Sequence, residues 1–195
     1  MATYKSIAYD QALSAGGSQV LLSETTASSD STISFTSGIE STYKEYIFKF
    51  INCHPSANGP NFNVNFSIDG GSNYNVTKTT WFFHSRHDED GSDGQVVYDT
   101  GGDLAQGTGN QYISRGIGNS SADECLSGEF VIYNPSDTTF IKHFVGVSNS
   151  MEVNASSQAA YFGGYCNTTS AVNAVRFAFN TGNIDTGTIK LYGVL

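Results

Sequence analysis

The sequence contains few of the residues on which several classes of protein depend. Its 195 residues include three cysteines, three prolines, and only nine lysines and arginines against eighteen aspartates and glutamates. Cys53, Cys125 and Cys166 are too scattered for a disulfide framework or a zinc site with paired ligands, and we expect each to serve as a small apolar residue in or near a strand. The formal charge of -9, without any basic patch, argues against nucleic acid as a partner.

Long apolar runs and long helical patterns are also missing. No stretch approaches the ~18 apolar residues of a membrane-spanning helix, and residues 1–17 lack the basic start and apolar core of a secretory signal. We therefore expect a protein that is made and kept soluble in a cytoplasm, with no membrane partner. No helical period extends beyond a turn or two, and residues 167–175 are the best place for a short helix or a loop.

What the sequence does contain is alternation of apolar and polar residues with period two. Residues 61–68 show it best, with Phe62, Val64, Phe66 and Ile68 on one face and asparagines and a serine on the other. We expect the first face to lie in the core and the second to be exposed to solvent or covered by a partner. Residues 46–51 are apolar on both faces, which predicts a central strand or a face used in assembly. Further strands are predicted at 19–24, 32–36, 78–85, 95–99, 110–117, 126–133, 138–147, 159–166, 173–179 and 187–194.

This number of strands predicts an all-β fold. Residues 134–137 are rich in turn formers, and Pro135 cannot lie inside a central ladder, so the strands on either side should form a hairpin. We expect residues 18–195 to form a single domain, a β-sandwich of two antiparallel sheets with little or no helix. Periodicity does not distinguish a jelly roll from another Greek key. Residues 1–17 are expected to be an extended N-terminal arm or the first strand of the sandwich.

Four histidines invite a metal or acid-base interpretation. His84 and His87 are followed by carboxylates, but residues three apart on a strand point to opposite faces, so we expect structural roles for both. His54 and His143 have no serine or cysteine nucleophile at a recognisable motif distance. We therefore predict no catalytic, cofactor-binding or metal-binding residues.

The segment 88–103 carries six of the acidic residues. Asp88, Asp90 and Asp93 could converge on a calcium ion, but Asp93 and Asp99 stand where an EF-hand loop requires glycine and glutamate. A solvated acidic loop, which also protects the neighbouring sheet edge from pairing with other chains, fits the pattern better. The remaining acids of the segment are Glu89 and Asp103.

Several blocks of the chain resemble a family of small virion-associated proteins of marine tailed bacteriophages. The blocks are STISFTSGIESTYKEYIFKF, DGGSNYNVTKTT, LAQGTGNQ, YNPSDTTFIKHF, GGYCNTTSAVNAVRF and GNIDTGTIKLYGV, which run from about Ile33 to Val194. The resemblance implies a jelly-roll-like sandwich displayed on the particle, often as a multimer, with a trimer preferred. It also implies that the last strand closes the sheet and leaves the N-terminus for attachment. It carries over no catalytic residues.

Three functions are compatible with this reading. The leading hypothesis is a non-enzymatic virion protein, either a capsid decoration (cement) or head-fibre protein, whose partners are other virion proteins. The alternative is a tail-fibre module that recognises host surface glycans, for which Trp81, Tyr98 and Tyr112 are the first candidates because exposed aromatic rings bind sugars. A glycan-cleaving enzyme is the third, although no acid lies in the aromatic environment that would raise its pKa.

Overall fold

The computed structural model describes residues 19–194, and within that range the chain forms twelve strands and no helix. An eight-stranded sheet has the order β1-β12-β3-β8-β9-β10-β5-β6, and a four-stranded sheet has the order β2-β11-β4-β7. All neighbouring strands are antiparallel. The strands are β1 (Gln19–Thr26), β2 (Ile33–Phe35), β3 (Glu45–Pro55), β4 (Phe62–Ser67), β5 (Lys78–Asp88), β6 (Gly94–Tyr98), β7 (Gln111–Ser114), β8 (Leu126–Tyr133), β9 (Lys142–Glu152), β10 (Ser156–Cys166), β11 (Ala174–Phe179) and β12 (Ile184–Val194).

Eight of these strands follow a jelly-roll path. From β1 to β4 the chain alternates between the large and the small sheet, and it alternates again through β7, β8, β11 and β12. As a result β1 lies beside β12, β2 beside β11, β3 beside β8 and β4 beside β7. This nested antiparallel pairing is that of two Greek keys rolled into a sandwich. The predicted two-sheet β-sandwich is confirmed, and the connectivity that periodicity left open is a jelly roll.

Two inserted hairpins widen the large sheet. β5 and β6 are inserted between β4 and β7, and β9 and β10 between β8 and β11. The edge strand β7 of the small sheet contacts β9 and β10, whereas β5 and β6 lie farther out in the large sheet. The inner face of this end of the large sheet therefore extends past the small sheet.

Phenylalanine rings fill the core between the sheets. Phe48 and Phe50 of β3 contact Phe177 of β11, each at 5.1 Å between ring centroids, and Phe177 also stacks on Phe62 of β4. Alternation places these rings on the inner faces of both sheets. Edge-to-face and offset contacts between such rings contribute to stability beyond the burial of apolar area.

The polar face of β4 differs from the prediction. Asn63, Asn65 and Ser67 are buried as completely as the phenylalanines between them. β4 is an inner strand of the small sheet, and the connecting loops cover its second face: Nδ2 of Asn65 donates to the carbonyl of Thr108, for example. Ile68 follows the last residue of the strand and is 42% exposed rather than part of the core.

The predicted central strand and the predicted hairpin turn are both present in the structure. β3 is a central strand, with Tyr46, Phe48 and Phe50 buried, and the turn at residues 134–137 joins the antiparallel pair β8 and β9. Residues 167–173 form a loop rather than a helix. The predicted arm or first strand at residues 1–17 lies outside the described residues. Among residues 19–194, no helix is long and apolar enough to cross a membrane.

Candidate binding surfaces

The outward face of β8, β9 and β10 is largely apolar. Val145 and Val147 of β9 and Tyr161 of β10 are each between a third and a half exposed, and with Val131 they line a shallow groove of about 260 Å³. Glu129 of β8 also lines this groove and is the one carboxylate among the outward residues of these three strands. We call this surface the outer sheet face. Contiguous apolar patches of this kind mark interaction sites in soluble proteins.

An aromatic row continues the outer sheet face onto β5. The ring of Phe83 stacks on Trp81 at 5.7 Å and on Tyr161 at 5.1 Å, with interplanar angles of 22° and 13°. Trp81 packs over Gly163, where a Cβ atom would lie 2.7 Å from the indole ring. Glycine at this position therefore lets the indole lie flat on the sheet.

The three aromatic residues predicted to bind glycans do not form one site. Tyr98 of β6 is paired with Phe83, so it shares the outward face with Trp81, and its hydroxyl donates to Asp103 at 2.8 Å. Tyr112 of β7 packs against the core instead, in edge contact with Phe82 on the inward face of β5. The structure therefore brings together two of the three residues.

The acidic segment forms the β5–β6 hairpin and the loop that follows it. Asp88 accepts a hydrogen bond from Ser156, Asp90 accepts from the backbone of Ser92 at 2.9 Å, and Asp93 pairs with Arg86 at 3.1 Å. The hydrogen bonds from Ser92 keep the pKa of Asp90 below its usual value. Ser92 donates to both Asp88 and Asp90, whereas Asp93 faces Arg86, and across residues 19–194 no group of three or more His, Cys, Asp or Glu side chains is placed to hold a metal ion. β6 is the edge of the large sheet, and protection of this edge by the acidic residues stays a prediction.

The histidines are also dispersed. His84 is buried on the inward face of β5, while His87 is exposed on the outward face, as the strand geometry predicts. His143 is exposed on the outward face of β9, beside the ring of Tyr165. His54 lies near the end of β3, in an open depression with Cys125.

A polar cavity of about 300 Å³ opens where the large sheet extends past the small one. Its wall comes from β5 and β6, from the residues after β7, and from the turn between β9 and β10. The polar residues that line it are His84, Arg86, Gln95, Arg115, Glu152 and Asn154. Val97 and Val153 supply the apolar part of the wall. We call this the end cavity.

Hydrogen bonds among buried polar side chains hold the wall of the end cavity in place. Ser114 and Ser150 share a hydrogen bond of 2.7 Å, and Gln158 accepts from Ser114 at 3.2 Å and donates to Glu152. Arg115 forms an ion pair with Asp99 at the rim. Each charged side chain of the cavity therefore has at least one protein partner that holds it in place.

Two cavity residues have perturbed acid-base properties. Burial lowers the pKa of His84, and the neighbouring Arg115 lowers it further, so the folded structure favours the neutral imidazole. Burial also raises the pKa of Glu152, partly offset by the charges of Arg115 and Arg86. Nδ1 of His84 is buried without a hydrogen-bond partner, which is uncommon for a polar atom inside a protein.

The end cavity was not predicted from the sequence, although the inward face of β9 carries a signal for it. After Lys142 at its start, the inward face of this strand changes from Phe144 to the polar Ser148, Ser150 and Glu152. Such a change along one face predicts that the strand extends beyond the end of the hydrophobic core. The partners from β5, β7 and β10 are far apart in the sequence, and only the sheet order brings them together. No family model, curated protein or solved structure matches this chain.

Proposed function

We propose that this protein is a non-enzymatic structural component of a bacteriophage particle, displayed on the particle surface as a capsid decoration (cement) or head-fibre protein. The observation that carries the proposal is the outer sheet face, which is apolar across three adjacent strands. A second copy of the chain covers this face, in a homo-oligomer for which a trimer is preferred by analogy with the family that the sequence resembles.

Charge favours association through this face. The protein has a net charge of -9, so two copies repel each other in most relative orientations. The outward positions of β8, β9 and β10 carry a single carboxylate, Glu129, beside valines and tyrosines. Two copies can therefore approach at low electrostatic cost through the outer sheet face, where burial of apolar area drives association.

Immunogold electron microscopy tests the proposed location. Antibodies raised against the chain are expected to label the heads of particles of the bacteriophage that encodes it. Labelling of the tail tip alone would favour the second function below. An absence of label on intact particles, while the protein is present in the infected cell, would contradict both.

The aromatic row favours a second function, a tail-fibre module that binds host surface glycans. Sugar rings stack on exposed aromatic faces, and Trp81 and Tyr98 lie on the same outward surface. A glycan array separates the two functions. Binding that is lost in Tyr98→Ser and Trp81→Ala would support glycan recognition by this surface, whereas unchanged or absent binding would leave the outer sheet face to protein contacts.

A further inference from the structure

The end cavity has features of a binding site that the proposed structural function does not use. Its volume of about 300 Å³ falls at the lower end of the range of small-molecule sites. Polar groups from four separate parts of the chain converge on it, and they include the imidazole of His84, which is only 3% exposed and whose Nδ1 has no hydrogen-bond partner.

The charges around the cavity restrict the chemistry of the ligand. Arg86 and Arg115 are already paired with Asp93 and Asp99, and the carboxyl of Glu152 lies in the same wall. A negatively charged ligand would have to compete with two carboxylates and lie beside a third. Nε and Nη2 of Arg86 also donate to the side-chain oxygen of Gln95, so Nη1 of Arg86 and the remaining N–H groups of Arg115 are the ones that can donate to neutral oxygen atoms of a ligand.

The wall offers donors and acceptors side by side. Glu152 supplies carboxyl oxygens, Asn154 and Gln95 supply amides, and the two arginines supply N–H donors. Pairs of adjacent hydroxyl groups on a sugar ring both donate and accept hydrogen bonds, and the C–H face of the same ring fits against apolar groups such as Val97 and Val153. A polyhydroxylated ring matches this combination better than an ion or an apolar ligand does.

We infer that the end cavity binds one neutral monosaccharide unit of a glycan, with Glu152, Arg115 and Asn154 contacting its hydroxyl groups. The site lies on the inward face of β5, opposite the aromatic row, so it is separate from the outer sheet face. The inference does not depend on the particle function proposed above, and either can fail alone.

Saturation-transfer NMR with free monosaccharides tests the inference on the full chain. The probes are glucose, galactose, mannose, fucose and N-acetylglucosamine, with galacturonate as the charged comparison. We expect transfer to at least one neutral sugar and none to galacturonate. Glu152→Gln keeps the volume of the side chain and an oxygen that can accept from Gln158, and Asn154→Ala alters an exposed turn residue, so both variants should fold. Each should weaken binding about tenfold or more, as expected for the loss of a hydrogen bond to a charged or well-placed group.

Phe140→Ala is the matched control, because Phe140 is 71% exposed and precedes β9 at the end of the strand opposite Glu152. It should leave sugar binding unchanged, and circular dichroism and melting curves of all three variants should match those of the parent. The inference is overturned if no neutral sugar shows transfer, if galacturonate binds in preference, if binding survives both cavity variants, or if Phe140→Ala weakens binding as much as they do.

Discussion

Nζ of Lys78 donates a hydrogen bond of 2.8 Å to Oδ1 of Asn65, and both side chains are buried. Lys78 donates a second bond of 2.8 Å to the carbonyl of Val76, and its ammonium lies 5.8 Å from the centre of the Phe66 ring. Within residues 19–194 no carboxylate forms an ion pair with it. The ammonium is thus stabilised by neutral oxygens and a ring, and burial lowers the pKa of Lys78 to about 8.

This pKa predicts a pH-dependent contribution to stability. Below pH 8 the lysine is protonated in both the folded and the unfolded chain, and well above the ordinary value of 10.5 it is neutral in both. Between these values the unfolded chain holds a proton that the folded chain has released, so the free energy of unfolding rises with pH. The shift corresponds to about 3 kcal/mol at most.

Lys78→Met provides the reference for this measurement. Chemical denaturation at a series of pH values should show that the wild type gains stability relative to Lys78→Met between about pH 8 and 10.5, because the variant lacks the titrating group. Cys53 and Cys125 titrate in both proteins and cancel in the difference, whereas Cys166 interacts electrostatically with Lys78, so both proteins should also carry Cys166→Ala. Parallel stability profiles over this interval would show that the folded pKa of Lys78 is not lowered.

Replacement of Phe177 should remove a large part of the stability of the core. Its ring lies between 5.1 and 6.4 Å from five other phenylalanine rings of both sheets. Phe177→Ala should lower the free energy of unfolding by about 3–5 kcal/mol, measured by denaturant titration. Phe140→Ala, at a position that is 71% exposed, is the control and should change it by less than about 0.5 kcal/mol. Equal effects of the two substitutions would contradict the packing described.

Association should depend on the outer sheet face. Sedimentation velocity of the wild type at micromolar concentration is expected to show an oligomer, and Val145→Glu is expected to shift it to monomer by placing a charge in the apolar groove. Ile68→Glu makes the same change of charge at an exposed residue that follows a strand of the small sheet, and it should leave the oligomer intact. A wild type that sediments as a monomer, or equal dissociation by both variants, would count against the proposed interface.

The three thiols should react at different rates. Cys53 and Cys166 are buried in β3 and β10, and burial raises the pKa of each to about 12. Cys125 is only half-buried, and its pKa is raised by burial to a smaller extent. An aromatic disulfide reagent should therefore label Cys125 alone, slowly, in the native protein, and all three thiols after denaturation. Cys125→Ser should abolish native labelling, and rapid reaction of a second thiol would show that the core is open at β3 or β10.

The strands and the sandwich could be predicted from the sequence because they depend on local order. Alternation with period two placed all twelve strands near their observed positions, and Pro135 with its polar neighbours located the turn between β8 and β9. The opposite orientation of His84 and His87 followed from the same pleat. These features need no knowledge of distant residues, since side chains alternate along any extended strand.

Tertiary structure decided what covers each face. The asparagines of β4 look like a solvent-facing row in the sequence, but loops from elsewhere in the chain bury them, and Lys78 completes the hydrogen bonds of Asn65. Trp81 and Tyr112 look equally suited to bind a ligand, yet one lies on the outer sheet face and the other packs on the core. The end cavity exists because the inserted hairpins widen only one sheet and leave its inward face extending past the other. Alternation along the sequence predicts which side chains share a face of a strand. Burial and hydrogen bonding of those side chains depend on the elements that pack against that face. The jelly-roll connections between distant strands determine which elements these are.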